Sequence, residues 1–534
     1  MTQAIYLGID TGGTFTDFVL LRDNTLRVHK VLSTPAAPEQ AILQGIEALG
    51  LQSLAPDETL YIVHGSTVAT NAVLEGKGVT TAYISNHGLG DVLTLGRQTR
   101  RELYNLQPAP ISPPVPAEYC LETGGRLSAE GELLEPLTAA DLQQLLAQLQ
   151  QLQPRAVAIN LLFSYLDDRA ERAIAVALPA GLFVSRSSQV LPECKEYERG
   201  MATWLNAYVG PLVEGYLQRL GHGAAQARIS VMQSSGGTIA AEHAAAQAVH
   251  LLLSGPAGGL AGARYMGDCA QRPRLLTFDM GGTSTDVALI DGEIQLTSEG
   301  HIAHYPVAVP MVDMHTIGAG GGSIAWVDRG GMLQVGPQSA GADPGPACYG
   351  RGGTQATVTD ANLLLGRLRA DAFLGGGMHL DPEAAHQAVQ AIAMTLNLSV
   401  EAAAEGIIRL ANEHMAQALR VMSVQRGIDP RQLTLTSFGG AGGLHVCALA
   451  EALGMTAAMV PVYAGVLSAF GMLVAPRSRQ LSHGLIGPLA DTPTERIEAA
   501  LAALAQQGRE ALQAEGVSAG DINTEASLDL RYQG

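Results

Sequence analysis

Apolar residues in this chain come in short runs separated by glycine-rich polar phrases. Ala4-Ile-Tyr-Leu-Gly-Ile9 and Phe18-Val-Leu-Leu21 flank one such phrase, and Leu275-Leu-Thr-Phe278 and Val287-Ala-Leu-Ile290 flank another. Each set predicts strand, tight turn, strand. Residues 38–49 carry Ile42, Ile46 and Leu49 at helical spacing. Leu60-Tyr-Ile-Val63 predicts a strand, and Thr138 with Asp141 predicts a capping box opening an amphipathic helix through Leu152. A buried strand is expected over 156–163, a helix over 168–178, and a long helix over 193–220 that bridges the two halves. Further strands are expected over 229–233 and 433–438, with helices beginning at Asp360 and spanning 446–453. The five prolines between Gln107 and Tyr119 make an extended loop or hinge. β and α segments alternate throughout, which predicts a mixed or parallel sheet covered by helices.

The two flanked phrases are nearly the same phrase. Asp10-Thr-Gly-Gly-Thr-Phe-Thr-Asp17 and Asp279-Met-Gly-Gly-Thr-Ser-Thr-Asp286 are identical at six of eight positions. Paired glycines let backbone N–H groups approach an anion closely, and threonine hydroxyls add donors. The acid that opens each turn would repel a bare phosphate, so it makes chemical sense beside a metal ion. Two such turns facing each other can hold a polyphosphate and its Mg²⁺. One copy alone would read equally well as an ordinary hairpin; the repetition favours the ligand.

Other phrases leave two readings open. His64-Gly-Ser-Thr-Val-Ala-Thr-Asn71 sits where strands of α/β folds deliver ligand-binding residues, and also reads as a capped helix start at Ser66 or Thr67. The small residues of 251–259 suit a helix N-terminus near an anion, or a close helix–strand contact. Asp313 and His315, two apart in a strand, would share one face usable for metal binding or proton transfer. Cys348, in the small-residue loop 336–350, reads as a buried thiol rather than a nucleophile. Gly439-Gly-Ala-Gly-Gly443 lies between a strand and a helix, where a nucleotide base, ribose or phosphate can approach. No Gly-x-x-x-x-Gly-Lys-[Ser/Thr] loop and no Gly-x-Ser-x-Gly elbow is present.

The bulk properties narrow the partners. A chain of 534 residues is too long for one core, and 47% hydrophobic with 15% charged residues describes a packed globular protein of two to four domains. Net charge is −18 with no Lys/Arg-rich run, so neither nucleic acid nor an anionic membrane is expected as partner. Five cysteines lie far apart with no Cys-x-x-Cys pair, as in a protein with reduced thiols. Asp10 interrupts the apolar start, and a soluble, cytoplasmic protein is expected.

Six phrases in order, from Gly8-Ile-Asp-Thr-Gly-Gly-Thr-Phe-Thr-Asp17 through His64–Asn71, Phe278–Asp286, Gly318-Ala-Gly-Gly-Gly-Ser323 and Ser339–Gly350 to Ser437-Phe-Gly-Gly-Ala-Gly-Gly443, resemble the hydantoinase A/5-oxoprolinase family. That family is similar to the actin-like ATPases. The resemblance implies an α/β, two-lobed architecture with a duplicated ribonuclease-H-like fold. It implies an N-terminal lobe over 1–195, an ATPase lobe over 196–480, and over 481–534 the start of a C-terminal domain that is cut short after Asp529-Leu-Arg-Tyr-Gln-Gly534. The activity implied is ATP-dependent opening of a hydantoin, N-methylhydantoin or 5-oxoproline, with ATP and Mg²⁺. A hydantoinase B-type partner subunit and an oligomer are implied too. Gly12, Gly13, Thr14, Thr16, Gly281, Gly282, Thr283 and Thr285 would hold the phosphates, Asp10 and Asp279 the metal and the chemistry. Gly439, Gly440, Gly442 and Gly443 would take the adenosine side, and Asp313 with His315 the acceptor side. The alternative within the same resemblance is the ATP-using subunit of an acetone- or acetophenone-type carboxylase.

Overall fold

A computed structural model describes residues 3–13, 15–34, 36–99, 104–107, 112–373 and 378–532. The chain forms two compact units that it enters more than once. The first comprises Met1–Gly65, Gly255–Leu296 and Val312–Ala475; the second comprises Ser66–Ser254, Thr297–Met311 and Pro476–Gly534.

In the first unit both repeated phrases fold as hairpins, and each hairpin belongs to a sheet of the same design. Gln3–Thr11 pairs antiparallel with Phe15–Arg22, which pairs antiparallel with Thr25–Leu32; Glu58–Gly65 lies parallel on the other side of Gln3–Thr11. The second sheet repeats this order. Arg274–Met280 pairs antiparallel with Thr285–Asp291 and parallel with Thr434–Phe438, to which Ala458–Met459 adds. Beyond Thr285–Asp291 lie the short strands Glu293–Ile294 and Met314–Ile317. The sequence-derived fold class is the one found: α/β, with one strand order written in two sheets.

Alternation along these strands explains their burial. Ile5, Leu7 and Ile9 are wholly buried at every second position. Around the second sheet, Leu276, Phe278 and Val287 pack with Ile407, Leu419 and Met422 of the helix Val400–Met422, whose apolar face recurs at helical spacing. Close backbone approach is arranged by glycine. A Cβ on Gly471, in the helix Leu467–Val474, would fall 1.8 Å from the Gly258 carbonyl oxygen in the helix Ser254–Cys269. A Cβ on Gly8 would meet the Ala469 carbonyl oxygen at 2.1 Å. The first contact packs the two helices on each other, and the second seats the helix Leu467–Val474 directly on the first hairpin's strand.

The second unit centres on a parallel sheet in the order Phe183–Arg186, Ala156–Ile159, Thr81–Asn86, Cys120–Thr123. Its expected capping box forms: the Thr138 hydroxyl accepts from the Asp141 N–H, and the Asp141 carboxylate accepts from the Thr138 N–H, opening the helix Ala139–Leu152. Thr138→Ala is expected to lower stability by about 1 kcal/mol, read as a shift in denaturation midpoint at unchanged slope. The long helix Glu196–Gly223 carries Arg199, which is 1% exposed. Its guanidinium donates to Asn160, Ser187 and the carbonyls of Leu161 and Glu193, so each of its nitrogens has an acceptor. Burial pushes its pKa below the ordinary arginine value, and the nearby Glu171 carboxylate opposes that shift.

Several sequence-derived bounds move. The strand expected over 156–163 ends at Ile159, and the helix expected from Asp360 begins at Val358, because Thr357 is its cap. Residues 336–339, read as loop, belong to the strand Leu333–Ser339. Among the described residues, no single helix is long and apolar enough to cross a membrane.

Candidate functional site

The two hairpins agree residue by residue. Asp10 stands opposite Asp17 in the first and Asp279 opposite Asp286 in the second; Thr11 faces Thr16 as Met280 faces Thr285. The turns close with the same bond, Gly12 N–H to the Phe15 carbonyl and Gly281 N–H to the Ser284 carbonyl, both 3.0 Å. Gly13, Gly282 and Thr283 are exposed, and a Cβ at Gly13 or Gly282 would meet nothing within 4 Å. The turn tips therefore present open backbone. Thr14 lies outside the described residues.

Thr16 and Thr285 do something else. Both are wholly buried; the Thr16 hydroxyl pairs with Ser33 Oγ at 3.0 Å, and that of Thr285 donates to the Ala319 carbonyl. They brace the turns from behind and do not offer free donors. Ser33 also donates to the Gly12 carbonyl at 2.7 Å. In the second hairpin the corresponding brace is the loop Gly318–Ser323: Gly321 and Gly322 N–H groups donate to the carbonyls of Gly281 and Gly282 at 3.0 and 2.7 Å.

Asp10 and Asp279 are half-buried at the base of the turns. A Cβ on Gly65 or Gly255 would lie 3.4 or 3.3 Å from Asp10 Oδ1, and one on Gly439 2.2 Å from Asp279 Oδ1. Each carboxylate is thus packed against glycine backbone, and the phrase at 251–259 joins the site through Gly255. Burial raises the pKa of Asp10 to about 7; Asp17 pushes the same way and Lys30 opposes. Burial raises that of Asp279 to about 8, reinforced by Asp286, Asp10 and Asp17. Four carboxylates thus act on one another with little compensating positive charge. A divalent cation fits such a set. Among the described residues no cluster of three or more His, Cys, Asp or Glu forms a protein-only cage. An ion here would be of the Mg²⁺ kind, which binds one or two carboxylates and completes its shell with phosphate oxygens and water.

The late glycine loop divides in two. Gly439 has φ +79° and its N–H donates to the Ala464 carbonyl, while the Ala441 N–H donates to the Met280 carbonyl. A Cβ on Gly442 would fall 2.4 Å from Ser437 Oγ. Gly439 and Gly442 are therefore packing positions that dock the loop on the second hairpin. Gly440 and Gly443 are exposed, and only they present open backbone. Behind the loop, His445 is wholly buried, with Nδ1 2.6 Å from Asn412 Oδ1; burial lowers its pKa to about 4 and keeps it neutral.

Two expectations change on contact with the geometry, and a third holds. Asp313 and His315 are not a pair: the strand starts at Met314, and both Asp313 oxygens are held by the Arg426 guanidinium. His315 sits opposite Val287, and no hydrogen bond among the described residues joins it to Asp313. His64 does not deliver a polar group outward. It is wholly buried, its Nδ1 3.3 Å from the Ile9 carbonyl, its pKa lowered to about 4 by burial. Thr67 is the N-cap residue of the helix Val68–Leu74, without a side-chain capping bond. Cys348 is buried beside Asp360, which accepts its N–H at 2.8 Å, and burial pushes the thiol far up; it is the inert thiol expected.

Paired carboxylate–glycine hairpins on two sheets of one design define the class by architecture. The comparisons with known proteins agree. Residues 6–180 match the hydantoinase/oxoprolinase N-terminal region and residues 199–480 the hydantoinase/oxoprolinase model. The chain belongs to the hydantoinase/oxoprolinase family. It is 37% identical to caprolactamase subunit alpha of Pseudomonas jessenii, over all of this chain and 79% of that one. The solved ATP-dependent caprolactamase from that organism superposes with a TM-score of 0.83 at 35% identity, over 96% of this chain and 77% of that one. 5-Oxoprolinase 1 of Arabidopsis thaliana is 33% identical over 98% of this chain but 46% of its own length. Nucleotide-free acetone carboxylase superposes with a TM-score of 0.78 at 29% identity, over 96% of this chain and 77% of that one.

Proposed function

We propose that the chain is the ATP-using subunit of an enzyme that opens a cyclic amide, such as a lactam, hydantoin or 5-oxoproline. The observation that carries this is the matched pair of hairpins, Asp10 opposite Asp17 and Asp279 opposite Asp286, with open glycine turns above them. An unstrained amide resists water because its nitrogen is a poor leaving group. Transfer of the terminal phosphoryl group of ATP to the carbonyl oxygen forms one P–O bond, breaks another to release ADP, and leaves an imidate carbon that water can attack. Ring opening and loss of phosphate complete the reaction.

In this reading Gly13, Thr14, Gly282 and Thr283 offer donors to the phosphates, Gly12 and Gly281 close the turns that present them, and Gly440 and Gly443 face the nucleoside. Asp10 and Asp279 would hold Mg²⁺, which supplies charge neutralisation on the phosphates when bound. The name of the caprolactamase relative, a subunit alpha, supports a B-type partner subunit. The 29% identity with acetone carboxylase supports a second reading, an ATP-using carboxylase subunit.

One assay separates them: ADP release by the chain with and without a B-type subunit, across caprolactam, hydantoin, N-methylhydantoin and 5-oxoproline, then across ketones with bicarbonate. A cyclic amide that stimulates turnover without bicarbonate is the expected result. Stimulation only by a ketone with bicarbonate would replace the proposal with the carboxylase reading.

A further inference from the structure

The two hairpins are equivalent along their strands but not across their sheets. Reading straight across the first sheet at the level of the carboxylates gives Lys30, Asp17, Asp10, Gly65. The same line across the second sheet gives Thr316, Asp286, Asp279, Phe438. Where the second sheet places a neutral hydroxyl, which donates to Asp286 Oδ1 at 2.6 Å, the first places an ammonium. Lys30 forms an ion pair with Asp17, and its Nζ lies 5.1 Å from the centre of the Phe15 ring, the residue that closes the first turn. Lys30 and Asp17 side chains are 31% and 17% exposed, so the pair is half-buried and still reachable from solvent. Among the described residues, Lys30 is the only cation that opposes the raised pKa of Asp10, and none opposes that of Asp279.

A lone lysine beside four carboxylates does not neutralise them. Ordering a flexible ammonium on the edge strand Thr25–Leu32 to reach a single aspartate also offsets much of what the pair gains. Its position suits a phosphate ligand better: it stands at the turn whose glycines are open, held there by Asp17 and by the ring of Phe15. We propose that Lys30 takes the terminal phosphoryl oxygens of the bound nucleoside triphosphate, with Asp17 as the residue that positions its ammonium. This rests on the ATP reading above and adds polarity to it: the terminal phosphoryl group lies on the first hairpin's side.

The test compares Lys30→Met and Lys30→Arg with wild type by calorimetric titration with ATP and with ADP in the presence of Mg²⁺, and by thermal melting. The expected result for Lys30→Met is a loss of ATP affinity of about tenfold or more, with ADP affinity within about twofold of wild type. Lys30→Arg should recover most of the ATP affinity, because the charge is kept. Unchanged ATP affinity in Lys30→Met, or equal losses for ATP and ADP, would overturn the assignment while leaving the ATP reading standing. A wild-type chain that binds neither nucleotide would overturn both.

Discussion

Asp279→Asn is expected to lower amide-stimulated ADP release by about three orders of magnitude while raising the melting temperature of the ligand-free protein. The two effects have one cause. Burial raises the Asp279 pKa to about 8, so near neutrality the folded chain must either keep this carboxyl protonated or hold an unwelcome charge. In the unfolded chain the same group titrates near 3.8. Below that value the carboxyl is neutral in both states and costs nothing. Between about 4 and 8 the folded state binds the extra proton, and stability declines as pH rises. Asn carries no charge at any pH. The variant and wild type should therefore melt together near pH 4 and separate progressively up to pH 8, by a few °C, in chelator and without nucleotide. A variant that melts lower than wild type at pH 8 would show that the carboxylate is structurally required. Full activity in Asp279→Asn would remove Asp279 from the chemistry.

Gly439→Ala should be the most disruptive single-methyl change in the glycine loop. With φ at +79°, an L-residue there is strained, and its Cβ would lie 2.2 Å from Asp279 Oδ1 and 2.6 Å from the Met280 carbonyl oxygen. The Asp279 carboxylate can shift aside, but the Met280 carbonyl oxygen and its N at 2.9 Å are backbone, so backbone must move as well. A loss of roughly 3 kcal/mol or more is expected, from αL strain and overpacking together, with activity falling as the Asp279 carboxylate is displaced. Gly440→Ala, one residue away, meets nothing within 4 Å and should leave the denaturation midpoint unchanged. If Gly440 faces the nucleoside, its methyl should weaken ATP binding in titration while stability holds. Equal effects of the two substitutions on stability would contradict the division of the loop into packing and open positions.

Much of the site was legible because its signals are local. The repeated Asp-x-Gly-Gly-Thr-x-Thr-Asp phrase specifies a hairpin through its own glycines and flanking apolar runs, and both hairpins formed with one register. Thr138 and Asp141 lie three residues apart, so their cap needed only one turn of backbone. The misreadings share a different trait. Asp313 looked free because its partner, Arg426, is 113 residues away. Thr16 and Thr285 looked like open donors because sequence shows residue type but not which face of a strand is buried. Lys30 passed unnoticed for the same reason: nothing in Leu26-Arg-Val-His-Lys-Val-Leu32 marks it until a third strand places it opposite Asp17.

The sequence by itself determined the two turns, the alternation of β and α segments and the family, since each depends on residues close together or on phrases that recur. Only the tertiary structure decided which of those residues face a ligand and which hold the frame. It brought Gly255 against Asp10, Gly439 against Asp279 and the Gly318–Ser323 loop onto the second turn. Those contacts join segments more than a hundred residues apart or lie across sheet edges, and their burial is what raises the carboxylate pKa values. Charge, access and partnering are properties of a packed neighbourhood, and no stretch of chain carries its neighbourhood with it.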